Sequence, residues 1–248
     1  MRLTSALHSK LGRSGGLAAA AFALAVAMMG TTLPTPLYVL YREGFGFSEL
    51  MITVIFATYA AGVIVALLLF GRLSDQVGRR LVLLAGLALA ALSAGAFLIA
   101  DGLPVLLAGR VFSGLSAGLF TGTATATLVD LAPPGRRARA TLVATIANMG
   151  GLGCGALLAG LLSQWAGSPL RLTYWVGLAL LVPAAIGIWA MPEPVTRRTR
   201  PRLRPQAPRI PAEIRVTFAE AALAGAAGYA VLGLFTAVTP AFLGAGSG

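Results

Sequence analysis

Few residues in this chain could do chemistry, and they are charged groups set in an apolar background. The run Gly71 to Arg80, GRLSDQVGRR, holds one carboxylate, Asp75, among Arg72, Arg79 and Arg80. Gly71 and Gly78 there allow tight turns and close helix approach. Asp75 sits where a carboxylate can meet a helix N-terminus or an arginine, so the chemistry on offer is charge pairing. A second centre is LAGRVFSGLSAG, in which Arg110 stands four residues before Gly114 and eight before Gly118. These positions share one helix face, which puts a cation above a groove of small residues. A charge at the centre of a bilayer costs about 2.5–3.5 kcal/mol on insertion scales. Arg110 is therefore either a snorkelling side chain near an interface or a buried functional group. Hydrolytic and metal chemistry have no support: the chain has a single histidine, His8, and a single cysteine, Cys154, which leaves no triad, no metal cluster and no internal disulfide.

The elements that must position these groups follow from composition. Hydrophobic residues make up 57% of the 248 and charged residues 11%, with a mean hydropathy of +0.84. A soluble domain carries about a quarter charged residues, so the chain reads as an integral membrane protein whose first partner is the lipid bilayer. Crossing the hydrocarbon takes about 20 mostly apolar residues. Runs of that length cover Leu17–Leu40, Leu50–Phe70, Leu81–Ala100, Pro104–Leu131, Ala140–Trp165, Leu172–Met191 and Val216–Leu243. The first run is too long for the core of a secretory signal and is read as a retained helix.

The net charge of +11 is split among connections and forms no single basic face, which argues against nucleic acid. Arg2, Lys10 and Arg13 lie in the tail, Arg72, Arg79 and Arg80 in the second connection, and Arg136, Arg137 and Arg139 in the fourth. Seven arginines from Arg197 to Arg215 lie in the sixth. Only Arg42 and Arg171 fall on the other side, so the positive-inside rule places the N-terminus in the cytoplasm. The domains expected are a cytoplasmic tail over 1–16, a six-helix bundle over 17–191, an Arg- and Pro-rich cytoplasmic loop over 192–215 that is largely disordered and touches anionic head groups, and one further helix within 216–248.

The GRLSDQVGRR loop between the second and third spans resembles the signature loop of major facilitator superfamily transporters, and the resemblance extends over nearly the whole chain. It implies an all-α membrane fold in which six spans form two three-helix units of inverted topology. It also implies a second half of which only about one helix is present, so the chain is expected to be truncated. By the same resemblance, Asp75 is the central acid of a gating network, Arg79 its partner, and Asp130 a second acid. Arg110 would be a buried residue linked to proton coupling. The fifth span, ANMGGLGCGALLAG, is similar to the glycine-rich signature of drug/proton antiporters, with Gly151, Gly155 and Gly160 among its glycines; Ala156 replaces the usual proline and Ala159 a usual glycine.

What this implies is a secondary active transporter, not an enzyme, working by alternating access in the plasma membrane. It needs no cofactor, takes its energy from a proton gradient and exports small amphiphilic molecules, here incompletely, with a missing C-terminal half as a partner. Two alternatives stand beside it: a non-transporting half or membrane scaffold that packs partners through its glycine faces, and an uptake symporter. A sugar or organic acid site would call for more hydrogen-bonding side chains than these spans offer. The pathway candidates are Tyr59, Thr123 and Asn148, with Thr125, Thr127 and Gln164 behind them; threonines often bond their own helix backbone instead. No acid lies in the middle of the first six spans, and Glu220 is early in the seventh, so no proton carrier is named.

Overall fold

The computed structural model describes residues 11–71, 73–195, 215–228 and 231. Arg72, His8, most of the arginine-rich loop and the far end of the seventh span lie outside the described residues. Two compact units are present, residues 1–205 and 206–248, and in the second the helix over 215–228 includes Glu220.

Helices make up the first unit: α1 (Arg13–Thr32), α2 (Tyr38–Phe45), α3 (Glu49–Phe70), α4 (Leu73–Val77), α5 (Arg79–Leu98), α6 (Leu103–Leu131), α7 (Arg137–Trp165) and α8 (Pro169–Ala190). Six of them, α1, α3, α5, α6, α7 and α8, are long and apolar enough to cross a membrane. The expected first span, Leu17–Leu40, is corrected: it breaks after Thr32 and resumes as the short α2. Pro34 and Pro36 explain the break, because proline has no N–H to continue the ladder and its ring collides with the preceding turn. The other boundaries move by three residues or fewer, and Pro104 and Pro169 sit in the first turns of α6 and α8, where their missing N–H is not needed.

Lipid tails are as apolar as leucine, so burial alone cannot order these helices, and close packing of small residues must do so. α1 packs on α6, α7 and α8, while α6 also packs on α3 and α5 and α5 packs on α8. Exchanging α1 with α6, α3 with α7 and α5 with α8 maps these six pairings, the most extensive in the bundle, onto one another, while the lesser α6–α7, α7–α8 and α1–α5 contacts have no counterpart of like extent among the described residues. The pattern is that of two three-helix units, and because three crossings is an odd number, the second unit runs inverted to the first.

The two equivalent crossings use the same device. On α6, a Cβ at Gly114 would run into the Tyr59 carbonyl oxygen of α3, and one at Gly118 would stand 2.8 Å from the Val63 carbonyl oxygen. On α7, a Cβ at Gly151 would run into the Ala25 carbonyl oxygen of α1, and one at Gly155 into Thr32 Oγ1 and the Met29 carbonyl oxygen. Each is an i, i+4 glycine pair with a backbone seated on it. Gly62 on α3 completes the first crossing, its missing Cβ 3.2 Å from the Gly114 Cα. Gly160 is a correction to the packing expectation: a Cβ there would meet nothing within 4 Å. Two serines stitch α5 to α6, Ser93 Oγ donating to the Gly109 carbonyl and Ser116 Oγ to the Gly86 carbonyl, both at 2.8 Å.

Candidate functional site

The charged residues gather at two centres along α6, Arg110 near its start and Asp130 at its end, roughly 30 Å apart at 1.5 Å per residue.

At the Asp130 end, the α3–α5 connection carries the one-turn helix α4. Gly78 follows it at φ 104°, a conformation that costs a residue with a Cβ dearly, and so lets the chain turn directly into α5. Gly71 keeps right-handed helical angles, with φ −54°. Glycine there is a matter of space, since a Cβ would lie 2.7 Å from the Leu67 carbonyl oxygen.

Arg79 is the hub. Its Nη1 lies 2.6 Å from Asp75 Oδ1 and donates to Ser74 Oγ at 2.6 Å, while Nε donates to Asp130 Oδ2 at 3.1 Å. Its side chain is 11% exposed, against 52% for Asp75 and 36% for Asp130. Pairs this open to water contribute about 0–1 kcal/mol each. Arg13 Nη2 donates to the Asp130 backbone oxygen at 3.1 Å. Arg80 places its guanidinium 5.5 Å from the centre of the Trp189 ring.

The carboxylate at the start of α5 is Glu193. Its Oε1 accepts the Arg79 N–H at 2.8 Å and its Oε2 the Arg80 N–H at 3.1 Å. Gly78 has no side chain to cap the helix, so a residue just beyond α8 satisfies two of the four open N–H groups and places its negative charge at the positive end of the helix dipole. Sequence reading passed over this residue, leaving it inside a loop taken as solvated. The available signal was an acid immediately after the sixth span, on the same side of the bundle as the start of α5.

Arg110 is 1% exposed, which removes the snorkelling alternative. Its guanidinium lies 5.0, 5.4, 5.6 and 5.8 Å from the ring centres of Tyr38, Phe56, Tyr59 and Phe97. Nε donates to the Tyr38 hydroxyl and Nη1 to the Thr31 carbonyl at 2.8 Å. Nη2 is buried without a hydrogen-bond partner among the described residues. Thr31 lies in the last turn of α1, where carbonyls have no intrahelical N–H to accept. The proline break thus does two things: it leaves the Thr31 carbonyl to take a cation at a helix C-terminus, and it starts α2 at Tyr38. The π faces of the rings supply attraction where no carboxylate does.

Beyond the cage, the Tyr41 hydroxyl donates to the Phe97 carbonyl at 3.0 Å and lies 3.3 Å from the Tyr174 hydroxyl. A cavity of about 20 Å³ lies alongside, bordered by Thr31, Ser93, Ser113, Ser116 and Tyr174, room for about one water molecule.

The pathway candidates divide. Tyr59 belongs to the arginine cage. Thr123 is 5% exposed, packed within the bundle and open to no pathway in this conformation. Thr125 and Thr127 bond their own helix backbone, at the Thr121 and Thr123 carbonyls. Asn148 is half-buried on α7, and its Oδ1 is buried without a partner among the described residues. Gln164 is exposed near the end of α7.

Comparison with known proteins follows the same lines. Residues 20–248 match the family model described as Major Facilitator Superfamily. A protein of Mycolicibacterium hassiacum named as a triacylglyceride transporter is 32% identical over 158 residues, which cover 61% of this chain and 28% of that protein; the match therefore spans little more than a quarter of that relative's length. Six apolar helices in two sets of three, with an arginine hub at one end and a buried arginine near the other, agree with a family match over most of the chain: the protein belongs to the Major Facilitator Superfamily.

Proposed function

We propose that the bundle supplies one half of a proton-coupled exporter of small amphiphilic molecules, working by alternating access with a second six-helix unit. Transporters built from repeats bind substrate between them near the bilayer midplane. The observation that carries this reading is the Arg79 hub. One guanidinium holds Asp75 and Asp130 through pairs weak enough to release, and it sits at the start of a helix whose first N–H groups are held by Glu193. A latch of that strength can be balanced by the binding energy of a substrate.

The apolar helices, with few free hydrogen-bonding groups, favour an amphiphilic cargo over a sugar. The name of the M. hassiacum relative, a triacylglyceride transporter, points the same way. Arg110, buried and without a carboxylate partner among the described residues, is the residue we assign to proton coupling, through its effect on any acid brought near it. We place the protein in the plasma membrane with its N-terminus in the cytoplasm and the proton gradient as its energy source.

Proteoliposomes loaded with a lipophilic dye test this. Dye release should rise with an imposed proton gradient, collapse with a protonophore, and be lost in Asp75→Asn and Arg110→Ala. Release indifferent to the gradient would overturn proton coupling, and dye accumulation driven by the same gradient would overturn efflux. Transport by residues 13–195 alone would overturn the need for a second unit.

A further inference from the structure

A cavity of about 390 Å³ opens where the start of α1, the end of α6 and the start of α7 meet. Its lining combines three cations, Arg13, Arg136 and Arg139, with the apolar side chains of Leu17, Leu131 and Val143. No acid lines it. Asp130 is the nearest acid along the chain; its carboxylate is held by Arg79 and its backbone oxygen by Arg13. The side chains of Arg136 and Arg139 make no hydrogen bond or ion pair among the described residues, so this charge is free to act on a ligand.

The depth of the cavity follows from helix length. α6 and α7 each have 29 residues, roughly 43 Å at 1.5 Å per residue, against a hydrocarbon core of about 30 Å. Their ends therefore reach the head-group layer. A site at that level with arginines and an apolar wall suits an amphiphile with an anionic head, and in the head-group layer of a bilayer the abundant one is a phosphate that carries acyl chains. The start of α7 adds to it, since Arg136 makes no side-chain cap and the first backbone bond of that helix runs from the Ala140 N–H to the Arg136 carbonyl. The N–H groups of the turn between have no intrahelical acceptor and form the positive end of the helix dipole, which favours an anion nearby. The volume lies at the lower end of the range of small-molecule sites.

We infer that this cavity is a binding site for the head group of an anionic phospholipid, with Arg136 and Arg139 as its phosphate ligands, Arg13 closing it, and the acyl chains leaving past Leu17 and Val143. A lipid there joins α1 of the first three-helix unit to α6 and α7 of the second, beside the Asp130 end of the latch.

The experiment uses the full chain in nanodiscs with a photoactivatable phosphatidylglycerol analogue, mapped by mass spectrometry of the crosslinked peptides. The site predicts crosslinks concentrated in residues 131–143, competed by unlabelled phosphatidylglycerol and not by phosphatidylcholine. A basic residue near an anionic surface changes affinity by about fivefold, so Arg136→Gln with Arg139→Gln should weaken this labelling by about thirtyfold. Crosslinks spread along the lipid-facing helices, or equal competition by phosphatidylcholine, overturn the proposal without reference to any variant. Full competition by glycerol phosphate overturns the lipid and leaves a soluble phosphate ester as the ligand.

Discussion

Arg110 shows what a single residue can impose on its surroundings. Its guanidinium is buried beside four rings and makes two hydrogen bonds with protein acceptors. Removing one acceptor should be costly because the donor cannot turn to water: an unmade bond at a buried charged group costs about 1–3 kcal/mol or more. Tyr38→Phe keeps the ring and removes the oxygen, so it is expected to lower the unfolding free energy by about that amount, read as a fall in melting temperature of the purified protein. Glu193 acts through backbone groups instead. Glu193→Ala leaves the first N–H groups of α5 without their acceptor, and helix caps contribute about 0.5–2 kcal/mol. Hydrogen exchange at the start of α5 is expected to speed up, while exchange in the middle of α6 stays unchanged. Uniform acceleration along both helices would show that Glu193 supports the whole bundle and not one helix end.

At the scale of the helices, the glycine pairs decide which faces meet. Replacing glycine by alanine inside a helix is worth about 1 kcal/mol in favour of the helix, so a loss must come from the neighbour. At Gly114 the neighbour is the backbone of α3, which cannot turn aside as a side chain can, and overpacking costs about 1–3 kcal/mol. Gly114→Ala should therefore lower the melting temperature. Gly160→Ala, with open space around it, should raise it slightly. An equal response at both positions would remove the α3–α6 contact as the reason for the Gly114 result. The same comparison separates the glycines of one motif: Gly151 and Gly155 have a backbone on top of them, and Gly160 does not.

Over the bundle of residues 13–190, the arrangement is two three-helix units whose most extensive pairings exchange. That symmetry places the α5–α6 connection, at Asp101 and Gly102, on the side opposite the α6–α7 connection, at Pro134 and Gly135. Basic connections stay in the cytoplasm. A reporter active only in the cytoplasm should therefore work when fused after Gly135 and fail when fused after Asp101, and the reverse pattern would invert the assigned orientation. The Arg79 hub and the proposed phospholipid site both lie at the Gly135 side of the bundle, on one membrane face.

Much of this was legible along the chain. Six spans and the side bearing the arginines follow from hydropathy and charge, because both are sums over neighbouring residues and bilayer thickness sets the length required. That Asp75, Arg79 and Arg110 need partners was legible for a related reason: a charge in an apolar run is costly and needs an explanation. Tertiary structure alone decided what answers each charge. Arg79 and Glu193 are 114 residues apart in sequence, and Arg110 and Tyr38 are 72 apart. Such partners are set by which helices cross and at what height, and those crossings depend on where one backbone can lie directly on another, a property of two surfaces together that no local pattern in either one contains.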